Sequence, residues 1–208
     1  MILIGQYDSP FVRRVGLTLA LYELSFEHRP WSVFSDGDKV RALNPLMRVP
    51  TFVLDDGEVL LDSRSIIDHL ESHAAPERSL TPEDPKSLRA MTRVVALAHG
   101  AAELAASLFY ELRMHHEPSG DFVSRRRSQI RSAIAALEAD RADRNGNYWL
   151  GDRLTHADVA FATAYRFIVE IHPGLFSPAQ HPAIVAQSDH LEEMPVFKAI
   201  SQPFVPPP

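Results

Sequence analysis

The chain has 208 residues, carries a net charge of −6 and contains no cysteine, which excludes disulfides, thiolate metal sites and a cysteine nucleophile. With 45% hydrophobic and 23% charged residues it has the composition of a globular protein that buries its own core, in one large or two small domains. The negative charge argues against nucleic acid as a main partner, and we interpret the one basic run, Arg125–Arg127, as a solvated stretch of helix.

The N-terminus shows no targeting or membrane-spanning pattern. Its apolar run at residues 1–5 is too short for a signal peptide, and no run in the chain approaches the roughly 18 apolar residues that span a membrane. We therefore expect a cytoplasmic protein with no membrane partner.

The first predicted elements are a strand, a helix and a second strand. A short apolar strand covers residues 2–5, and a helix follows in which Ser9 is placed as N-cap and Pro10 as first residue. The second strand is expected over residues 26–33, at a sheet edge because it contains Pro30.

A short helix over residues 36–43 leads to a predicted hairpin, with strands at 51–54 and 58–61 around an Asp-Asp-Gly turn. Asp62 and Ser63 then open another helix. This order predicts a parallel βαβ unit followed by an antiparallel ββα unit, which together form one mixed four-stranded sheet covered by helices. The loops at Ser9, before the third strand and after the fourth strand can then converge at one end.

The rest of the chain is predicted to be helical. Three prolines and several charges between residues 74 and 85 indicate a linker, so we assign domains to residues 1–75 and 87–208, with the linker at 76–86. Helices are expected over residues 88–115, 122–143, 155–171 and 192–201, and residues 203–208 are expected to be loosely held.

Two motifs in the helical regions have structural interpretations. Thr155 and Asp158 have the spacing of a capping box at a helix start. His69 and His73 lie four residues apart, a spacing that can bind metal, but no third ligand is evident, so we predict no metal site. Ser9 allows two interpretations: a plain helix cap, or part of a site for a negatively charged ligand.

Four segments then carry a family resemblance: SPFVRRV from Ser9, NPLMRVP from Asn44, LLDSRSI from Leu60 and YWLGDRLTHADV from Tyr148. In this order and register the sequence resembles bacterial glutathione S-transferases of the serine type. The resemblance implies a thioredoxin-like α+β domain followed by an all-helical domain, with glutathione as cosubstrate and no metal.

The resemblance also implies roles for individual residues. Val49 precedes a cis-proline, Pro50, and its main-chain groups would pair with the cysteinyl backbone of glutathione like an added strand. Ser63 would bind the γ-glutamyl carboxylate at a helix start and Asp62 the amine. Arg48 would meet the glycyl carboxylate through a charge-assisted bond.

Ser9 would donate a hydrogen bond to the glutathione sulphur. A free thiol has a pKa of about 8.5, and a helix N-terminus together with a hydroxyl donor favours the thiolate that attacks electrophiles. Tyr7 is the rival for this role, because some family members use a tyrosine near the end of the first strand.

The second substrate is expected to be a small, partly apolar electrophile in a pocket between the domains, for which Phe11, Phe34, Leu104, Leu108 and Tyr110 are candidate lining residues. Conjugation is the expected reaction, with isomerisation and dehalogenation left open. The resemblance also implies a homodimer. The alternative from another class is a non-catalytic glutathione-transferase-like binding or regulatory protein.

Overall fold

The protein, described over residues 1–207 by a computed structural model, divides into two compact units. One unit comprises Met1–Leu80 together with the C-terminal residues from Met194, and the other comprises Thr81–Glu193.

The first unit contains one mixed sheet flanked by helices. Its strands have the order β2-β1-β3-β4, with β1 and β2 parallel and the pairs β1–β3 and β3–β4 antiparallel. The parallel β1–β2 pair, the antiparallel β3–β4 hairpin and the single mixed sheet are as predicted, and the predicted fold class is confirmed. In chain order the elements are β1 (Ile2–Ile4), α1 (Pro10–Leu21), β2 (Glu27–Arg29), α2 (Gly37–Leu43), β3 (Thr51–Val53), β4 (Val59–Leu61), α3 (Ser63–His73) and, from the C-terminal segment, α8 (Pro195–Ala199).

The core of the first unit lies where α1 and α3 pack together and against the sheet. The side chains at helical spacing on α1 and α3 meet the inward-facing residues of β1 and β3, and burying this apolar surface is the main stabilising contribution. The fully or almost fully buried members are Leu3, Ile4, Val12, Val15, Leu19, Phe52, Ile66, Ile67 and Leu70.

The second unit is helical. Its helix α4 carries alanines at positions 98, 101, 102 and 105 that are almost completely buried, and their small side chains allow α6 to pack closely along α4. The α-helices of this unit are α4 (Pro85–Met114), α5 (Gly120–Ala142), α6 (His156–Ile171) and α7 (Pro182–Glu192). No helix within residues 1–207 is both long and apolar enough to cross a membrane.

Helix α6 begins at a fully satisfied capping box, as the sequence predicts. Asp158 is fully buried and accepts hydrogen bonds from the main-chain N–H groups of Trp149 (2.7 Å) and Thr155 (2.9 Å). The Thr155 hydroxyl (3.1 Å) and the Gln187 amide (3.3 Å) also donate to this carboxylate. Burial raises the pKa of Asp158, while the main-chain donors from Thr155 and Trp149 act in the opposite direction.

The structure differs from the sequence-based prediction in the extent of two elements and in one additional helix. Strand β2 covers only Glu27–Arg29 of the predicted 26–33, because Pro30 has no N–H with which to extend the ladder. Helix α7 was not predicted, and the last helix covers Pro195–Ala199 of the predicted 192–201.

The C-terminal segment packs in the first unit, whereas the sequence-based domain limits assign it to the helical domain. Arg13 of α1 is almost fully buried and donates to the carbonyl oxygens of Phe197 (3.0 Å) and Ile200 (2.8 Å). Further along, the main-chain N–H of Val205 donates to Asp8 at 3.1 Å. These contacts hold the C-terminal segment against α1 and the loop before it.

Candidate functional site

Three loops leave the sheet of the first unit at the same edge. Ile4 pairs with Thr51, and Thr51 pairs with Leu61, so the end of β1, the start of β3 and the end of β4 lie in one row. A Cβ atom placed on Gly5 would lie 2.4 Å from a Val12 methyl carbon and 2.8 Å from the Val49 Cβ. The start of α1 and the loop before β3 therefore approach the same point of the backbone.

The hydroxyl of Ser9 at the α1 N-terminus accepts one long hydrogen bond. Ser9 has an extended backbone and is the N-cap, and its Oγ accepts from the Val12 N–H at 3.4 Å, which is long for a hydrogen bond. Ser9 is half-buried, and the first turn of α1 contains no acidic residue. The partial positive charge of this helix end is therefore not offset by a neighbouring carboxylate within the turn.

Tyr7 lies in a different environment from Ser9. Its side chain is 9% exposed and stacks on the His28 ring with a centroid distance of 3.9 Å. The Tyr7 ring packs against Gly16: a Cβ atom placed on Gly16 would lie 2.8 Å from the Tyr7 Cε1. Gly16 lies about 9 Å along the helix axis from Pro10. Burial raises the pKa of Tyr7 to about 12. The ring packs beside the middle of α1, whereas Ser9 caps its start.

The loop before β3 contains the cis Val49–Pro50 peptide bond that the resemblance implies. Within residues 1–207, the main-chain N–H and C=O of Val49 take part in no hydrogen bond. The neighbouring Arg48 is exposed, and its guanidinium has no ion pair in the described part of the chain. Among the described residues, the loop therefore offers the main-chain N–H and C=O of Val49 and the guanidinium of Arg48 to a ligand.

Two buried polar residues hold this loop in place, and the sequence reasoning missed both. The Asn44 Nδ2 donates to the Arg48 carbonyl at 2.7 Å and to the Thr51 hydroxyl at 3.0 Å. The Thr51 hydroxyl in turn donates to the same carbonyl at 3.0 Å. Asn44 follows α2 and precedes Pro45, so its sequence context indicated only a helix end. The sequence feature that relates to its role in holding the loop is its position seven residues before Thr51, the first residue of β3.

The α3 N-terminus has two contrasting polar groups. Asp62 is exposed, adopts φ +69°, and caps the helix by accepting from the Arg64 N–H at 2.8 Å. Ser63 is 1% exposed, and its hydroxyl has no hydrogen-bond partner in the described part of the chain. A buried hydroxyl without a partner is costly, and a non-glycine residue with positive φ is uncommon, so both features point to a site rather than to packing.

A buried cation lies close to this helix start. Arg14 of α1 is nearly fully buried, and burial together with the neighbouring charge of Arg64 lowers its pKa to about 10, against the opposing influence of Asp62 and Asp68. The burial of Arg14 could not be predicted from the sequence, because arginine is rarely fully buried and the adjacent Arg13 is an equally charged residue. Arg14 therefore contributes positive charge near Asp62.

The residues predicted to line an electrophile pocket differ in how exposed their side chains are. Phe11 is half-buried and Phe34 is 40% exposed in the first unit, whereas Tyr110 is 42% exposed in the second. Leu104 is half-buried, and Leu108 is fully buried in the helical core, where it packs against neighbours and presents no surface.

The histidine pair on α3 makes contacts within its own helix. The His69 and His73 rings lie 4.4 Å apart, and the His73 Nδ1 lies 2.9 Å from the His69 carbonyl oxygen. Among residues 1–207, no group of three or more His, Cys, Asp or Glu side chains is arranged to hold a metal ion.

Comparison with protein families gives two matches. Residues 3–78 match the model of the glutathione S-transferase N-terminal domain, and residues 120–186 match that of the C-terminal domain. All three loops at the sheet edge lie within the first of these ranges.

Individual relatives cover most of the chain. The uncharacterized GST-like protein YibF of Escherichia coli is 30% identical over 69% of this chain and 71% of its own length. A probable maleylacetoacetate isomerase of Caenorhabditis elegans is 28% identical over 89% of this chain and 86% of its own length. A crystal structure of a glutathione S-transferase from Methylobacterium radiotolerans, in complex with glutathione sulfonate, has a TM-score of 0.89 and 28% identity over 99% of this chain and 97% of that one.

Proposed function

Because the chain belongs to the glutathione S-transferase family, we propose that it binds glutathione at the three-loop edge of the first unit and activates the thiol against a small, partly apolar electrophile. The observation that carries this proposal is the buried hydroxyl of Ser63 at the start of α3, which has no hydrogen-bond partner within residues 1–207. A carboxylate placed there receives this hydroxyl bond and the favourable end of the helix dipole. The γ-glutamyl end of glutathione supplies such a carboxylate together with an amine, for which Asp62 is the neighbouring anion.

The remaining contacts follow from the same loops. The N–H and C=O of Val49, which make no hydrogen bond within residues 1–207, are suited to pair with an extended peptide such as the cysteinyl residue of glutathione. Arg48 is an exposed cation with no ion pair among the described residues, and it would bind the glycyl carboxylate.

We assign the thiolate-stabilising role to Ser9 rather than Tyr7. Lowering a thiol pKa from about 8.5 by two units requires about 2.7 kcal/mol, which one charge-assisted hydrogen bond and a helix N-terminus can supply. The Ser9 hydroxyl caps that N-terminus through a long, easily replaced hydrogen bond. The Tyr7 ring, by contrast, is held by His28 and packs beside Gly16, away from the helix start.

A second candidate reaction is glutathione-dependent cis–trans isomerisation, which the similarity to the probable maleylacetoacetate isomerase favours. In this chemistry the thiolate adds to a conjugated cis double bond, the resulting single bond rotates, and elimination restores the double bond and the free thiolate. Conjugation consumes one thiol per product, whereas isomerisation consumes none.

This difference gives the experiment. The protein is incubated with glutathione and, separately, an aryl halide, an isothiocyanate and maleylacetoacetate, while product and remaining thiol are both measured. Turnover with thiol loss supports conjugation, and turnover of the cis substrate at constant thiol supports isomerisation. Ser9→Ala should lower either rate, while Ser65→Ala, which changes an exposed serine of α3, should leave both unchanged.

Retention on immobilised glutathione without turnover of any of these compounds would favour the alternative of a non-catalytic binding protein. No retention at neutral pH would contradict glutathione binding itself. We further propose that the protein forms a homodimer, as the resemblance implies. Sedimentation equilibrium would test this, and a mass of one chain at micromolar concentration would contradict it.

A further inference from the structure

The peptide group between Arg48 and Val49 connects buried side chains of the first unit to the loop edge at which we place glutathione. Its carbonyl oxygen accepts two hydrogen bonds, from the Asn44 Nδ2 at 2.7 Å and from the Thr51 hydroxyl at 3.0 Å. Its N–H, which belongs to Val49, takes part in no hydrogen bond within residues 1–207. Among the described residues, only the carbonyl side of this peptide group is engaged, and the N–H side is left for a ligand.

The planarity of the peptide bond fixes the direction of the Val49 N–H. The Arg48–Val49 bond is trans, so its C=O and N–H point to opposite sides of the chain. Holding the carbonyl on the side of Asn44 and Thr51 therefore directs the N–H away from these two side chains. Hydrogen bonds that a carbonyl accepts also polarise the amide and strengthen its N–H as a donor, by roughly 10–30% per bond.

The two side chains that hold the carbonyl are themselves fixed. Asn44 is 1% exposed and Thr51 is fully buried. The Asn44 Nδ2 also donates to the Thr51 hydroxyl at 3.0 Å, and its Oδ1 accepts from the Leu46 N–H at 2.9 Å, so the orientation of the amide is determined. Thr51 is the first residue of β3, which lies between β1 and β4. The carbonyl is thus attached, through Thr51, to the interior of the sheet.

We propose that Asn44 and Thr51 are positioning residues for glutathione, which act through the Val49 N–H by orienting and polarising it for the cysteinyl carbonyl of the ligand. The inference rests on the proposed function, in which Val49 pairs with the cysteinyl residue. A donor that is already oriented costs less to bind than one that a flexible loop must bring into place. The strength of this contact is therefore set by two side chains on the far side of the peptide group.

The test is calorimetric titration with glutathione and with an analogue in which a trans alkene replaces the Cys–Gly peptide bond. The analogue has no cysteinyl carbonyl to accept from the Val49 N–H. Thr51→Val keeps the shape of the side chain and removes its hydroxyl, so it should weaken glutathione binding about threefold to tenfold but analogue binding less than twofold. Thr51→Ser should restore the affinity for glutathione. Asn44→Asp should weaken glutathione binding more than Thr51→Val, because an oxygen replaces the NH₂ donor.

Thr163→Val is the matched control. Thr163 is 3% exposed in α6, and its hydroxyl donates to the Val159 carbonyl at 3.0 Å, so the same change removes a buried hydroxyl from the other unit. The affinity for either ligand should not change in this variant. The pKa of the bound thiol should also be the same in Thr51→Val as in the unaltered protein, because Ser9 lies on another loop.

Equal loss of affinity for both ligands in Thr51→Val would overturn the inference, because it would show that the hydroxyl acts on the loop as a whole and not through the Val49 N–H. Unchanged glutathione binding in Thr51→Val, a shifted thiol pKa in that variant, or failure of Thr51→Ser to restore affinity would also overturn it. These results would leave the proposed function standing, whereas absence of glutathione binding in the unaltered protein would overturn both.

Discussion

Helices α3 and α6 begin with the same two chemical groups, one carboxylate and one hydroxyl, but the two helix starts use them differently. At α6, Asp158 is fully buried and accepts four hydrogen bonds, two of them from Thr155. At α3, Asp62 is exposed and caps through one hydrogen bond, and the buried hydroxyl of Ser63 has no partner in the described residues.

The difference shows how a capping motif can be structural in one place and part of a site in another. A helix start whose capping carboxylate and hydroxyl are both satisfied contributes stability and offers neither group to a ligand. A helix start with an unused buried donor gives up some stability in the free protein and recovers it when a ligand supplies the acceptor. Substitutions at the two helix starts should therefore separate effects on stability from effects on binding.

The largest effect on stability is expected at the start of α6, where the capping groups are satisfied. Asp158→Ala should lower the free energy of unfolding by about 3 kcal/mol, because it leaves buried donors of Trp149, Thr155 and Gln187 without their acceptor. Thermal and urea unfolding measure this loss, and Asp152→Ala, which removes an exposed carboxylate nearby in the sequence, is the matched control. Lost turnover with unchanged melting would contradict a structural role for Asp158.

At the start of α3, a substitution is expected to weaken glutathione binding without lowering stability. Ser63→Ala should weaken glutathione binding about tenfold or more, because a charge-assisted hydrogen bond is lost. It should leave the melting temperature of the ligand-free protein unchanged or slightly raised, because an unsatisfied buried hydroxyl is removed. Calorimetric titration and thermal unfolding of the same variant measure both. If Ser63→Ala lowered both stability and affinity, this would contradict the interpretation that the Ser63 hydroxyl serves ligand binding.

A smaller effect is expected at Arg48. Arg48→Gln should raise the KM for glutathione about threefold, with a smaller difference from the unaltered protein at high salt, because an exposed ion pair is weak and screened. Steady-state kinetics at two ionic strengths measure this. Arg125→Gln controls for net charge, and an equal rise in KM in that variant would remove the specific role of Arg48.

The smallest effect on catalysis is expected at Tyr7. Tyr7→Phe keeps the ring that stacks on His28 and packs beside Gly16, so kcat and the pH dependence of turnover should remain unchanged. A pH–rate profile measures both. A large fall in kcat would reassign the thiolate-stabilising role from Ser9 to Tyr7.

The sequence predicted the sheet topology and the loop positions well, because these depend on local signals. Alternating apolar runs, the turn at Asp55–Gly57 and the hydroxyl residues at Ser9 and Thr155 each act over a few residues. The cis bond before Pro50 was predicted only through the family resemblance, because proline bonds are trans by default.

The contacts that the sequence could not predict join distant positions. Arg13 donates to Phe197 and Ile200 across more than 180 residues, so no local pattern indicates that the C-terminal segment packs in the first unit. The burial of Leu108 likewise depends on which face of α4 meets α6, and helical spacing alone did not separate that face from a candidate pocket lining.

The most direct test of the central claim is the pKa of the glutathione thiol in the complex, measured by thiolate absorbance against pH. We predict a value near 6.5 in the unaltered protein and a rise of about one to two units in Ser9→Ala. Ser119 is the matched control, since it caps α5 with the same 3.4 Å bond to a main-chain N–H, and Ser119→Ala should leave the thiol pKa unchanged. A thiol pKa that is the same in the unaltered protein and Ser9→Ala would contradict stabilisation of the thiolate by Ser9.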